Sequence, residues 1–281
     1  MILSHFGLHY KHSLKRFFVF FLLILNFIIF QGCGTLPNGR RWGQDATLTP
    51  GWERIRSSAV NAALSVETWM PVAASVALQI NDMDQRISDW ASENNPVFGS
   101  MENAEKWSSY LRDSSAGVYF ITTIATPSGD DASDWLKNKA RGLAIGLAAS
   151  EITGGSTSLI KRLSARTRPD GSNNKSFLSG HASGAAALTT LSRRNLDSIS
   201  LSTGSRMSAN IAIAGIAVGT GWARVEAKKH YPSDVLAGYA LGHFFSAFIN
   251  DAFLGLEDKK TPQLAIEPSR KGIWIGLNWV Y

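Results

Sequence analysis

The chain has 281 residues, of which 44% are hydrophobic and 18% charged, so it can bury a core without help from disulfides. Its single cysteine, Cys33, excludes an internal disulfide framework, a cysteine-rich zinc module and an iron–sulfur cluster. The formal net charge of +6 raises the question of nucleic-acid or membrane binding, and the answer depends on where that charge lies.

The N-terminus has the pattern of an export signal. Three basic residues, Lys11, Lys15 and Arg16, precede the apolar stretch 17–30, which is shorter than the roughly 20 residues that a membrane span needs. Cys33 follows Gln31 and Gly32, which resembles the lipobox of a bacterial lipoprotein. We therefore predict a signal peptide over 1–32 and lipidation at Cys33. The alternative is an uncleaved anchor helix.

Export defines both the charge and the expected location of the mature protein. Without the three basic residues of the signal, 25 basic residues face 22 acidic ones, so nucleic acid is not a predicted partner. The expected location is the cell envelope, with the lipid on Cys33 holding the protein on a membrane and facing the periplasm; the outer membrane is one such site.

The sequence of the mature chain predicts a tether followed by a helical domain. Residues 33–53 are rich in Gly, Pro and Thr, and we predict that they form the tether. Apolar periodicity predicts an all-α domain over 54–256. We expect its helices to be the buried helices of a soluble bundle, because most apolar runs are too short or too charged to span a membrane. A polytopic membrane protein is the alternative. The predicted helices cover 54–80, 82–93, 102–126, 132–150, 154–166, 180–193, 206–223 and 233–254.

The C-terminal tail, 257–281, has a different pattern. Residues 263–267 and 273–281 flank the turn-like segment 268–272, which predicts a short β-hairpin. Alternate residues from Ile273 to Tyr281 are apolar and would share one face. That face either packs on the helical bundle or meets a membrane or partner.

Three short segments concentrate residues that bind phosphate. Lys161, Arg168 and Arg224 supply three cations, and the two guanidinium groups can each bind two oxygens. Ser179 suits the N-cap of the helix predicted from 180, which directs backbone N–H groups at an anion. Gly180 has no side chain to keep the anion away.

The spacing of these segments resembles the type 2 phosphatidic acid phosphatase superfamily, which includes bacterial acid phosphatases and vanadium haloperoxidases. The family pattern K-x6-RP, PSGH and SR-x5-H-x3-D is matched in order from Lys161 to Asp234. Leu178 replaces a Pro and Ala223 replaces a Ser. The resemblance implies an all-α bundle of this type, with Lys161, Arg168, Ser179, Gly180 and Arg224 binding the substrate's phosphate.

The resemblance also implies roles for the two histidines. His230 would attack phosphorus and form a phosphohistidine. Asp234 would accept a hydrogen bond from the other ring nitrogen of His230 and so fix its tautomer. His181 would protonate the leaving oxygen and later activate water. The mechanism needs no metal or other cofactor.

The expected function is hydrolysis of a phosphomonoester or diphosphate, with a lipid phosphate as the leading substrate class. Two alternatives remain. The same pocket could hold vanadate as a cofactor in a haloperoxidase, with His230 as its ligand. The chain could also be a non-catalytic envelope lipoprotein that acts through its aromatic tail.

Overall fold

Eight α-helices form nearly all of the domain in the computed structural model, which describes residues 32–255, 263–269 and 272–278. A 3₁₀ turn (Ile80–Asp82) precedes the third helix, and a π-helical turn (Asn250–Leu254) continues the eighth. The all-α class is therefore confirmed. The helices are α1 (Trp52–Leu64), α2 (Val66–Ala77), α3 (Met83–Asn94), α4 (Met101–Ala125), α5 (Ala132–Ser164), α6 (Gly180–Ser198), α7 (Thr203–Glu226) and α8 (Pro232–Ile249). The predicted signal, 1–32, lies outside the described residues except for Gly32.

Two helix boundaries differ from those predicted. The segments 132–150 and 154–166 form the single helix α5, because Gly154 and Gly155 cost only about 1 kcal/mol each in a helix that neighbouring buried residues hold in place. The segment 54–80 instead divides into α1 and α2 at Ser65, whose backbone is extended (φ −60°, ψ 136°).

Helix α6 lies at the centre of the bundle and packs against α4, α5, α7 and α8. Its inner face consists largely of alanine, serine and threonine, which lets neighbouring helices approach closely. On α8, a Cβ added to Gly242 would lie 2.3 Å from the carbonyl oxygen of Ser183, and one on Gly238 would lie 2.8 Å from that of Ser179. These two glycines therefore permit the crossing of α8 over the start of α6.

The N-terminal segment 34–52, predicted to be part of a tether, packs against the bundle. Trp42 is only 1% exposed and belongs to the main apolar core with Tyr119 and Ile145. Its backbone N–H donates to the carbonyl oxygen of Pro127 at 2.8 Å, and its ring fills the space beside Gly142. Burial of this large ring stabilises the packed arrangement, so the segment is part of the domain.

The bundle has two distinct poles. At the first pole, the carbonyl oxygen of Gly32 accepts hydrogen bonds from the backbone of Ser128 and from the indole of Trp135, near the start of α5. The end of α6 lies at the same pole, where Arg206 of α7 donates to the carbonyl oxygen of Ile199. At the opposite pole lie the end of α5, the start of α6, the end of α7 and the start of α8.

Among the described residues, one helix is long and apolar enough to cross a membrane by length and composition. It is α5, whose most apolar window is only 28% buried within the protein. Several of its large apolar side chains, including Leu136, Leu159 and Leu163, are exposed.

The tail forms the predicted hairpin. Strand β1 (Gln263–Ser269) pairs antiparallel with β2 (Gly272–Asn278), and Ser269 lies opposite Gly272 at the turn. Trp279 and Tyr281, which were predicted to extend the apolar face, lie outside the described residues.

Candidate active site

The three motif segments meet at the second pole, where four helix termini come together. Lys161 lies in the last turn of α5 and Arg224 in the last turn of α7. Gly180 and His181 begin α6, and His230 occupies the turn just before α8. A Cβ added to Gly180 would lie 3.8 Å from Cε of Lys161, so the lysine reaches over the start of α6.

Ser179 caps the N-terminus of α6. Its buried hydroxyl oxygen accepts a hydrogen bond from the backbone N–H of Ala182 at 3.4 Å, and its own N–H donates to the carbonyl oxygen of Asp234 at 3.0 Å. The first N–H groups of a helix lack partners within the helix, and its dipole favours negative charge there. The start of α6 is therefore suited to bind an anion.

Three cations surround this helix terminus, and we call Lys161, Arg168 and Arg224 with the start of α6 the cationic pocket. Burial, together with the charges of Arg168 and Arg224, lowers the pKa of Lys161 to about 8. Burial and the charge of Arg168 likewise lower the pKa of Arg224 to about 10. Arg168 thus destabilises the charges of Lys161 and Arg224, and an anion placed among the three cations would relieve that repulsion.

The guanidinium groups retain unused hydrogen-bond donors. Arg224 is 4% exposed and donates to the hydroxyl of Ser108 at 3.1 Å, and Glu105 lies 3.9 Å away. The buried Nε atoms of Arg168 and Arg224 have no hydrogen-bond partner among the described residues. A buried donor without a partner is costly, so these two atoms are suited to a ligand with acceptor oxygens.

His230 is held in one tautomer. Its ring is 2% exposed, and Nδ1 lies 2.7 Å from the carbonyl oxygen of Ser176. A carbonyl oxygen only accepts, so Nδ1 carries the proton and Nε2 keeps a lone pair. Burial lowers the pKa of His230 to about 4 despite the nearby carboxylate of Asp234, so the ring is neutral at neutral pH.

The structure corrects the predicted contact between Asp234 and His230. Asp234 Oδ2 lies 3.8 Å from Nδ1 of His230, which is too far for a direct hydrogen bond, because the carbonyl of Ser176 occupies that position. The carboxylate instead accepts hydrogen bonds from the Ser176 hydroxyl, the Tyr231 N–H and Arg166. Burial raises the pKa of Asp234, but the interactions with His230, Ser176 and Arg166 outweigh it and keep the pKa below its usual value.

His181 is the second histidine at this pole. Its Nε2 lies 3.5 Å from the hydroxyl oxygen of Ser109 on α4. Burial and the positive charge of Arg224 lower the pKa of His181 to about 3. Without an anion in the cationic pocket, both histidines are therefore neutral.

Ion pairs line the outer rim of the site. Lys229 Nζ lies 3.0 Å from Asp170 and 3.8 Å from Glu105. An open cavity of about 470 Å³ is lined here by Glu105, Asp170 and Lys229, among others. The rim thus carries both signs of charge.

Sequence reasoning missed several contributors to the site. Four side chains that are buried or partly buried contact motif residues or one another: those of Arg166, Ser176, Ser108 and Asp84. Ser108 and Asp84 come from helices that precede the motifs, so no local spacing could associate them with the site. Arg166 occupies a variable position inside the first motif and Ser176 lies between the first two motifs, so the motif pattern selects neither residue.

Three other residues lie in the packed interior of the domain. Leu178 and Ala223, the two departures from the family pattern, are both buried. His243 lies away from the cationic pocket, where its Nδ1 is 2.7 Å from Thr68 Oγ1 and its Nε2 is 2.8 Å from Glu67. Within the described residues, no group of three or more His, Cys, Asp or Glu side chains could hold a metal ion.

The second pole thus carries a buried anion-binding site that is lined by cations and lies beside a neutral histidine of fixed orientation. Residues 139–255 match the model of the PAP2 superfamily. The matched region includes every predicted pocket residue from Lys161 to Asp234, while α1 to α4 precede it. No curated protein matches the chain.

One solved structure is also similar to this chain. It is described as the first transmembrane PAP2-type phosphatidylglycerolphosphate phosphatase from Bacillus subtilis, and it shares 20% sequence identity with a TM-score of 0.40. The match covers 67% of this chain and 94% of that one.

Proposed function

We propose that the chain is a metal-independent phosphatase that hydrolyses a phosphomonoester or diphosphate through a phosphohistidine at His230. The observation that carries this proposal is the pair of buried, unpartnered Nε donors on Arg168 and Arg224 beside the start of α6. Neutral His230, with its proton on Nδ1, presents Nε2 as a nucleophile at the same pole.

Binding would begin with charge neutralisation. The nonbridging oxygens of the phosphoryl group would accept hydrogen bonds from Lys161, Arg168, Arg224 and the first N–H groups of α6. Phosphoryl transfer depends mainly on such positioning and electrostatic stabilisation. The bound negative charge would also raise the pKa of His181 from about 3, because it offsets the repulsion from Arg224.

The chemical steps then divide between the two histidines. Nε2 of His230 forms a bond to phosphorus as the bond from phosphorus to the leaving oxygen breaks, and His181 in its protonated form gives that oxygen a proton. His181 then accepts a proton from water, whose oxygen attacks phosphorus and breaks the bond to Nε2. Phosphate leaves, and His230 returns to its neutral form.

A lipid phosphate in the cell envelope is the substrate class that we propose. Trp107 and Tyr110 lie on the same turns of α4 as Ser108 and Ser109, which contact the site. Their rings pack against each other at 6.0 Å, and both are about half exposed or more. Exposed Trp and Tyr side chains favour the membrane–water interface, which would bring the site close to lipid headgroups.

The test is phosphate release by wild type and His230→Ala, in chelator, from aryl phosphate and from lipid phosphates in vesicles. We expect wild type to hydrolyse both kinds of substrate and to prefer the vesicles, and the variant to lose more than 99% of its activity on each. A cooperative thermal unfolding transition of the variant is the control that it is folded. Equal turnover by His230→Ala would overturn the mechanism, and hydrolysis of soluble substrates alone would overturn the lipid assignment.

A further inference from the structure

A buried ionic cluster outside the three motifs lies directly behind His230. The guanidinium group of Arg166 bridges two carboxylates: one nitrogen donates to Asp84 at 2.7 Å and another donates to Asp234 at 2.7 Å. The side chains of Asp84 and Asp234 are 5% and 0% exposed, and that of Arg166 is 27% exposed. We call these three residues the Asp84–Arg166–Asp234 bridge.

Asp84 connects the bridge to the start of α8. Its Oδ1 accepts a hydrogen bond from the backbone N–H of Ser233 at 2.8 Å, and its Oδ2 accepts one from the Ser233 hydroxyl. Ser233 is the second residue of α8, so a carboxylate from α3 satisfies a helix N-terminus 149 residues away in sequence. The turn carrying His230 is thereby attached to α3.

Arg166 also contacts both neighbours of the His230 ring. Its side chain donates to Asp234, while its backbone carbonyl oxygen accepts a hydrogen bond from the N–H of Ser176 at 2.9 Å. The carbonyl of Ser176 in turn accepts the Nδ1 proton of His230. The guanidinium carbon lies 4.1 Å from the centre of the Tyr231 ring, which limits its movement on one face. A displacement of Arg166 would therefore disturb Ser176, Asp234 and His230 together.

The bridge also sets the charge behind the nucleophile. Two carboxylates and one guanidinium sum to a net charge of −1. When Nε2 of His230 bonds to phosphorus, its ring becomes positively charged, with Nδ1 3.8 Å from Asp234. A nearby negative charge stabilises that form more than it stabilises the neutral ring, so its effect appears in the transition state for phosphoryl transfer.

We propose that Asp84 and Arg166 are positioning residues for the phosphatase reaction, which hold Asp234 and Ser176 so that His230 keeps its proton on Nδ1 and directs Nε2 at the cationic pocket. This proposal rests on the proposed function. It assigns a role to Asp84, which lies outside the 139–255 family match, so the N-terminal helices contribute to the site.

The test compares Asp84→Asn with Asp89→Asn. Asp89 lies on the same helix but pairs with Lys228 at the surface, which makes it a matched control. We expect Asp84→Asn to lower kcat by about 10- to 100-fold, the effect expected of a misplaced nucleophile, with KM and the Kd for inorganic phosphate within threefold of wild type. Asp89→Asn should leave kcat within twofold.

A second variant covers the case in which Asp84→Asn does not fold. Arg166→Lys keeps the positive charge but has a single nitrogen in place of the fork that bridges two carboxylates, and it should lower kcat in the same way. A folded variant of either kind that keeps kcat within threefold of wild type would overturn the proposal. A variant in which only KM rises and phosphate binding weakens, with kcat unchanged, would also overturn the proposal.

A spectroscopic readout separates this proposal from the proposed function. The ¹⁵N chemical shifts of His230 report its tautomer whether or not the chain hydrolyses phosphate. We expect a single Nδ1–H form in wild type and a mixture of tautomers in Asp84→Asn. Wild type that shows this form without hydrolysing any phosphate would contradict the function alone, whereas identical spectra for the two proteins would contradict the positioning role.

Discussion

The charge of Lys161 in the cationic pocket changes with pH just above neutrality, because its pKa is lowered. Its Nζ donates to the carbonyl oxygen of Lys175 at 2.8 Å, and the charge of Asp234 offsets only part of the destabilisation of its ammonium group. Burial, followed by the charge of Arg168, lowers its pKa to about 8. An ammonium group above that pH is increasingly neutral and contributes less to binding of a phosphoryl group.

This predicts a basic limb in the pH profile. We expect kcat/KM of wild type to fall above about pH 8, because kcat/KM reports ionisation of the free enzyme. Lys161→Arg should remove this limb, because a guanidinium stays protonated. Arg162→Ala, which changes the exposed neighbour of Lys161, should leave the limb in place. A limb that persists unchanged in Lys161→Arg would exclude Lys161 as its source.

Single residues also show what the sequence could not provide. The motif spacing predicts site residues from Lys161 to Asp234, and the structure brings these residues together at one pole. Spacing could not show that Ser176 accepts the Nδ1 proton of His230 in place of Asp234, because both lie close to the ring and only the geometry separates 2.7 Å from 3.8 Å.

At the scale of the helices, the site depends on how closely α8 crosses α6. Gly242 and Gly238 allow the α8 backbone to reach that of α6, and the Asp234 carbonyl then accepts a hydrogen bond from the N-cap Ser179. The crossing thus sets the distance between the turn that carries His230 and the cationic pocket.

A methyl group at this crossing should disturb both stability and activity. Gly242→Ala would place Cβ 2.3 Å from the Ser183 carbonyl oxygen, and we expect it to lower the free energy of unfolding by about 1–3 kcal/mol and to reduce kcat. Gly184→Ala, on an open face of α6, should instead raise it by up to about 1 kcal/mol. Denaturant unfolding measures both, and equal effects would contradict the close crossing.

The helices themselves were largely predictable, and their long-range links were not. Apolar periodicity and capping residues gave the boundaries of α3, α4 and α8 to within one or two residues at most ends. The break between α1 and α2 at Ser65 had no clear signal, and the joining of α5 across Gly154 and Gly155 depends on packing. The ion pair between Asp84 and Arg166 joins residues 82 positions apart, which no local pattern can show.

At the scale of the whole molecule, the proposed lipidation site Cys33 and the cationic pocket lie at opposite poles of the bundle. Gly32 contacts Trp135 near the start of α5, and Lys161 lies 26 residues further along the same helix, which corresponds to about 39 Å at 1.5 Å per residue. A lipid on the neighbouring Cys33 would therefore hold the membrane far from the cationic pocket, unless the bundle lies along the membrane on the exposed apolar side of α5.

The proposed lipid anchor can be tested separately from catalysis. Cys33 is exposed and remote from the site, so Cys33→Ser should move the protein from the membrane fraction to the soluble fraction and leave hydrolysis of aryl phosphate within twofold of wild type. Fractionation after a high-salt wash measures the first effect. Retention of the variant in the membrane would favour the uncleaved anchor helix in its place.

The proposed reaction requires a covalent bond between phosphorus and Nε2 of His230. The most direct measurement is rapid quenching of the enzyme with ³²P-labelled substrate in chelator, followed by peptide mapping of the label. We expect an acid-labile, alkali-stable phosphohistidine at position 230 in wild type and in Arg162→Ala, and no label in a folded His230→Ala variant. Full turnover by wild type with label on another residue, or rapid turnover by His230→Ala, would contradict the mechanism.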